Sequence, residues 1–148
     1  MSGIKDLAKE RSRFAYGCVQ SFVNSNNNDE KQKKYKGYIR STPMKVLTNG
    51  LGATIAFIFS KRLKSDGEIY NQINAHIYDW LQKEYNKHLI KLDDKKTPEE
   101  KSKELTDKII HLNSLEYRAV TNEVLALFNW LKRFADGMIE EKSDESTK

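Results

Sequence analysis

The stretch Asn49-Gly50-Leu51-Gly52-Ala53-Thr54-Ile55-Ala56-Phe57 admits three readings. Asn-Gly is a strong short-range signal for a tight hairpin turn. Gly-x-Gly ahead of an apolar run hints at a phosphate-cradling loop. A helix interior, with glycines that let another backbone come close, is the third. Spacing favours the helix. Leu47, Leu51, Ile55 and Ile58 form one stripe, and Val46, Gly50, Ala53 and Phe57 form a second. Both run through the Asn-Gly pair, without the period-2 alternation a hairpin requires. A phosphate loop would need a third glycine, a preceding strand and a lysine. Upstream, Thr42-Pro43 offers an N-cap hydroxyl and a proline at the first helical position. Downstream, Lys61, Arg62 and Lys64 place cations at the negative end of the dipole. The spacing therefore predicts one continuous, largely buried central helix over 43–64, about 33 Å long. Each internal glycine would cost about 1 kcal/mol, offset by close approach of a neighbouring helix.

Around that segment the chain reads as further helices. Ile4, Leu7, Ala8, Phe14, Ala15, Cys18, Val19 and Phe22 predict a first helix over about 3–23, with Arg11 the one polar interruption. An asparagine-rich loop at 24–28 leads into a helix over about 29–41, with Gln32, Tyr35, Tyr38 and Ile39 on one side. Tyr70, Ile73, Ile77, Trp80 and Leu81 mark a helix over about 68–87. Thr97-Pro98-Glu99-Glu100 is a capping box opening a helix over about 98–111 that buries Leu105, Ile109 and Leu112 or their neighbours. Asn113-Ser114 caps the last helix, whose Tyr117, Val120, Val124, Leu127, Leu131, Phe134 and Met138 recur at alternating three- and four-residue steps. The expected fold is all-α: a single compact domain of about six helices around a long buried central helix. The domain spans 1–141, with a polar tail over 142–148.

Composition narrows the function classes. At 148 residues the chain can bury a proper core. Cys18 is the single cysteine, so no internal disulfide forms. The first residues lack the apolar region of a signal peptide, and no apolar run has membrane-span length. A cytoplasmic protein with no membrane association is expected. His76, His88 and His111 have no histidine or cysteine partner at helical spacing and read as lone helix-surface histidines. No nucleophile elbow occurs, and the paired carboxylates look solvated. The expectation is no enzyme, no metal and no cofactor.

Charge is unevenly spread. Residues 1–64 hold 13 Lys/Arg and 4 Asp/Glu, a net +9; residues 65–148 hold 13 and 17, a net −4. A basic half suggests a polyanion partner on one side. Its densest part is Lys33-Lys34-Tyr35-Lys36-Gly37-Tyr38-Ile39-Arg40, where Lys33, Lys36 and Arg40 share one helix side. Like charges at i, i+4 cost helix stability, and phosphate neutralisation would offset that cost. The tyrosines there suit core packing better than base stacking. Arg11 is either a paired, partly buried cation or a groove residue. A protein-only adaptor whose basic half meets acidic protein surfaces is the alternative.

Three blocks carry a resemblance: Arg11-Ser-Arg-Phe-Ala-Tyr-Gly-Cys-Val19; Tyr38-Ile-Arg-Ser-Thr-Pro43 running into Leu47-Thr-Asn-Gly-Leu-Gly52 and Ala56-Phe-Ile-Phe-Ser-Lys61; and Glu116-Tyr-Arg-Ala-Val-Thr-Asn-Glu123 leading into Leu125-Ala-Leu-Phe-Asn-Trp-Leu-Lys-Arg-Phe-Ala135. With Asp79-Trp80-Leu81 between them, the chain resembles the small, all-helical subunit of Cmr-type (type III-B) CRISPR effector complexes. The resemblance implies a non-catalytic structural subunit in antiviral defence. Such a subunit stacks head to tail with copies of itself beside the backbone subunits, and helps hold target RNA opposite the guide while other subunits cut. The implied partners are RNA, other CRISPR effector subunits and the chain itself. The expected RNA contacts are Arg11, Lys33, Lys36, Arg40, Lys45, Lys61, Arg62 and Arg133, with Arg40 and its neighbours Lys33 and Lys36 foremost. Arg118 falls in a matching block and serves either RNA or a structural pair with Glu123 or another acid.

Overall fold

Six α-helices follow one another in the computed structural model, which describes residues 4–140, with side chains from residue 6 onward. They are α1 (Ile4–Ser25), α2 (Asp29–Asn49), α3 (Leu51–Ser60), α4 (Gly67–Leu81), α5 (Pro98–Ile110) and α6 (Ser114–Met138). A single 3-10 turn, Glu84–Asn86, follows α4, and there is no strand among the described residues. The tail over 142–148 lies outside the described residues.

Helix starts follow local chemistry. The Asn28 side chain accepts from the Lys31 N–H at 3.0 Å and opens α2. Thr97 and Glu100 form the expected reciprocal capping box of α5, and Asn113 and Glu116 form another at α6. The seam of α6 buries Val120, Val124, Leu127 and Leu131, together with Phe128 and Ala135. This helix packs chiefly against α1 and α2, while α5 packs against α4 and α3. Trp80, Tyr35, Tyr78 and Phe128 fill the centre, each fully buried. α4 is shorter than its apolar spacing predicts: it ends at Leu81, the backbone is extended at Lys83, and the 3-10 turn follows as a separate element.

The central helix over 43–64 is not formed. α2 runs straight through Pro43, and the break falls at Gly50. Proline removes the N–H that would bond the Ile39 carbonyl. The helix persists because Tyr35 and Ile39 before it and Val46 after it are all buried. Thr42 does not cap a new helix; its hydroxyl donates back to the Tyr38 carbonyl at 2.7 Å. At Gly50 the backbone adopts φ 93°, ψ 158°, a region reserved in practice for glycine. The Gly50 N–H closes α2 on Val46 O at 2.9 Å, and its carbonyl accepts from Thr54 N–H at 3.2 Å to open α3. With a helix on each side, the Asn-Gly pair makes no hairpin either.

The group approaching the glycines is a side chain. Tyr117 from α6 brings its Oη to within 3.3 Å of where a Cβ would stand at Gly50 and at Gly52. The bend also rearranges the stripes. Leu51, Ile55 and Ile58 are buried, but Leu47 is 69% exposed and Phe57 37% exposed. A glycine is also needed at the start of α4, where a Cβ on Gly67 would stand 1.9 Å from the Arg62 carbonyl oxygen.

Candidate nucleic-acid interface

Most of the cations singled out in the basic half are committed to partners within the fold. Arg11 projects from α1 towards α6 and forms a two-pronged pair with Glu123, Nε to Oε2 at 2.7 Å and Nη2 to Oε1 at 3.0 Å. Trp80 Nε1 donates to the same carboxylate at 2.7 Å. Both charged side chains are largely buried, so Arg11 is the paired cation of the two sequence alternatives. Glu123 is thus engaged with Arg11 and Trp80, and Arg118 is exposed beside a recess formed with Leu112, Tyr117 and Thr121.

On α2, the side shared by Lys33, Lys36 and Arg40 is not a uniform comb. Lys36 is buried, and its ammonium donates to the Ile139 carbonyl at 3.0 Å. Arg40 is exposed and bonds Asp136 at 2.7 Å. Lys33 is exposed. Beside them, Lys34 lies 3.3 Å from Asp66 and Lys31 lies 3.5 Å from Glu68. The Tyr38 hydroxyl donates to Asp66 at 2.7 Å. That bond, reinforced by Lys34, holds the Asp66 carboxyl below its ordinary pKa. Tyr35 is fully buried and stacks on Phe22 with ring centres 3.8 Å apart, so it belongs to the core.

A different arrangement forms where the end of α2 meets α3. Lys45 and Lys61 converge on the exposed ring of Phe57, each Nζ 5.0 Å from its centre. Tyr70 and Phe57 meet nearly at right angles with ring centres 6.3 Å apart, and Tyr38 stacks on Tyr70 at 4.4 Å. Arg62 lies over Phe59 at 4.8 Å and pairs with Glu99 at 3.2 Å. On α6, Arg133 lies 5.5 Å from the Trp130 ring centre. Of the candidate cations, Lys45 and Lys61 are therefore brought together, while Arg11 and Lys36 are drawn into the packing.

Spacing puts Phe57 on a buried stripe, whereas the structure leaves it exposed. The available signal was Lys61, one helical turn further on, positioned to reach back over the ring. His76 is likewise displaced from its expected position: it is buried against α5 and α2 rather than on a helix surface. Its Nε2 lies 2.8 Å from the Tyr35 hydroxyl. Burial, with Lys101 assisting, lowers its pKa to about 4, so the ring is neutral. No group of three or more His, Cys, Asp or Glu among the described residues is placed to hold a metal ion. No helix among the described residues is long and apolar enough to cross a membrane.

A family model described as CRISPR-associated protein (Cas_Cmr5) matches residues 7–138. That span covers all but the ends of the chain, including every helix from the second turn of α1 to the last residue of α6. The chain belongs to this family, the small-subunit family of Cmr-type (III-B) CRISPR effector complexes.

Proposed function

From that membership we propose that this subunit is a non-catalytic helical spacer of the effector complex, lying beside its backbone subunits and presenting a basic face to target RNA. Family membership carries the reading. It implies association with the other subunits of a Cmr complex, which the stand-alone adaptor reading does not supply. Two observations support an RNA-facing role. The net +9 of residues 1–64 falls on α1, α2, α3 and the turn after them. Within that half, Lys33, Arg40, Lys45, Lys61 and Arg62 remain at least partly accessible. Copies stacked head to tail would repeat this face along the strand, so that interactions weak in one copy add along an array. Other subunits cut, and the protein works in the cytoplasm.

The test uses the reconstituted effector complex. Lys33, Arg40, Lys45 and Lys61 are changed together to Glu, and capture of target RNA is followed as a function of salt. The expected outcome is weaker capture with a shallower log–log salt slope, by about 0.7 for each single-strand phosphate that is no longer neutralised. Unchanged capture and slope in a complex that still incorporates the variant would overturn the RNA-facing reading.

A further inference from the structure

We propose that Phe57, with Lys45 and Lys61 each in contact with its ring, is a stacking platform for one unpaired base of a single-stranded RNA, and that the two ammonium groups take the flanking phosphates. The inference rests on the RNA-facing reading above and gives it a specific chemical contact.

Phe57 is a large aromatic left 37% exposed on a strongly apolar helix whose opposite face, Leu51, Thr54, Ile55 and Ile58, is buried. Its surroundings are those of a polyanion site rather than of a dry protein contact. Lysines are depleted from the centres of protein–protein interfaces, yet two lysine ammonium groups lie 5.0 Å from this ring. Elsewhere on the basic half, Arg11, Lys34, Arg40 and Arg62 are paired with carboxylates. Lys45 and Lys61 rest instead on an aromatic ring. The ring also has an aromatic neighbour held in place: Tyr70 lies at 84° to it with centres 6.3 Å apart, and Tyr38, stacked on Tyr70, is tied to Asp66.

The two lysines reach the ring on flexible four-carbon stems. An exposed cation–π contact is weaker than a base–aromatic stack. An arriving base can therefore displace an ammonium from the ring face, and the freed ammonium meets the phosphate that arrives with it. Because every base has a π-face, the contact is tolerant of sequence. Leu63 at 78% exposed and Leu47 at 69% exposed add apolar surface near the two ends of α3.

The experiment measures binding of the full-length chain, at low salt, to two oligomers: an RNA 20-mer carrying 2-aminopurine, whose fluorescence is quenched on stacking, and an abasic ribose-phosphate 20-mer. Wild type should quench the probe. Phe57→Ala should abolish the quenching and bind the RNA about tenfold more weakly, the effect of removing one stack, while binding the abasic strand as wild type does. Phe57→Trp should restore both signals. Lys45→Gln with Lys61→Gln should weaken binding of both oligomers. If Phe57→Ala matches wild type on the RNA while the lysine variant is impaired, the platform is refuted and the RNA-facing reading stands. If Phe57→Ala binds RNA normally but no longer copurifies with the other complex subunits, the ring is a protein contact and the proposal fails. If wild type binds neither oligomer and the complex carrying the quadruple Glu variant captures target RNA normally, both readings fail.

Discussion

The Tyr117 hydroxyl lies 2.7 Å from the Gly52 backbone nitrogen and accepts its N–H, joining α6 to the first turn of α3 across 65 residues of sequence. The first amides of a helix have no intrahelical acceptor, so the phenol acts as a cap supplied by another helix. This contact holds the end of α3 at the bend that exposes Phe57.

Substitution at Gly50 therefore distinguishes a bend from a continuous helix by its sign. In a continuous helix Gly50→Ala would stabilise by about 1 kcal/mol. At φ 93°, ψ 158° the same change should destabilise by about 1–3 kcal/mol. Tyr117→Phe, which removes the acceptor for Gly52 N–H, should cost about 1 kcal/mol or somewhat more. Urea unfolding of the two variants measures both.

The pairing of Arg11 with Glu123 predicts an asymmetric mutational response. Glu123→Ala strands a largely buried guanidinium and the Trp80 N–H, and should cost about 3 kcal/mol or more. Arg11→Met combined with Glu123→Leu removes both charges and should recover most of that loss. Thermal unfolding of the single and double variants gives the coupling between the two sites. Arg11→Ala should likewise lower stability more than it lowers RNA affinity.

His76 makes stability depend on pH below neutrality. Its pKa is near 6.5 in the unfolded chain and about 4 in the folded one. Between those values the unfolded chain binds a proton that the folded chain does not, so stability falls as pH falls. Below about pH 4 both states are protonated and this contribution is gone. The loss across the window is on the order of 3 kcal/mol. His76→Gln should flatten the profile between pH 6.5 and 4, as read by denaturant midpoints at each pH.

Lys33 and Lys36, three residues apart on α2, should respond to substitution in opposite ways. Lys36→Glu sets a carboxylate against the Ile139 carbonyl in a buried position, and should lower the melting temperature markedly. Lys33→Glu, on an exposed position, should move the melting temperature little. Its effect should appear in the salt dependence of RNA binding. Calorimetry and RNA titration on the same two proteins separate these outcomes.

Much of the architecture was legible in the chain. The alternating apolar steps of α6 required a helix with one buried seam, and four seam residues are fully buried. Both capping boxes formed where their residues stand, because caps are made within four residues of sequence. The basic character of residues 1–64 is likewise a property of composition.

Sequence by itself determined that the chain is a set of amphipathic helices, where several of them begin, and the resemblance confirmed by the family match over residues 7–138. Tertiary structure alone decided that α2 passes through Pro43, that the helix breaks at Gly50, that His76 is buried and that Phe57 is not. The reason is range. Periodicity states that a helix has an apolar face, but which residues of that face are covered depends on partners far along the chain. Tyr117 reaches the bend, Glu123 takes Arg11, and Ile139 takes Lys36. Local spacing contains none of those partners.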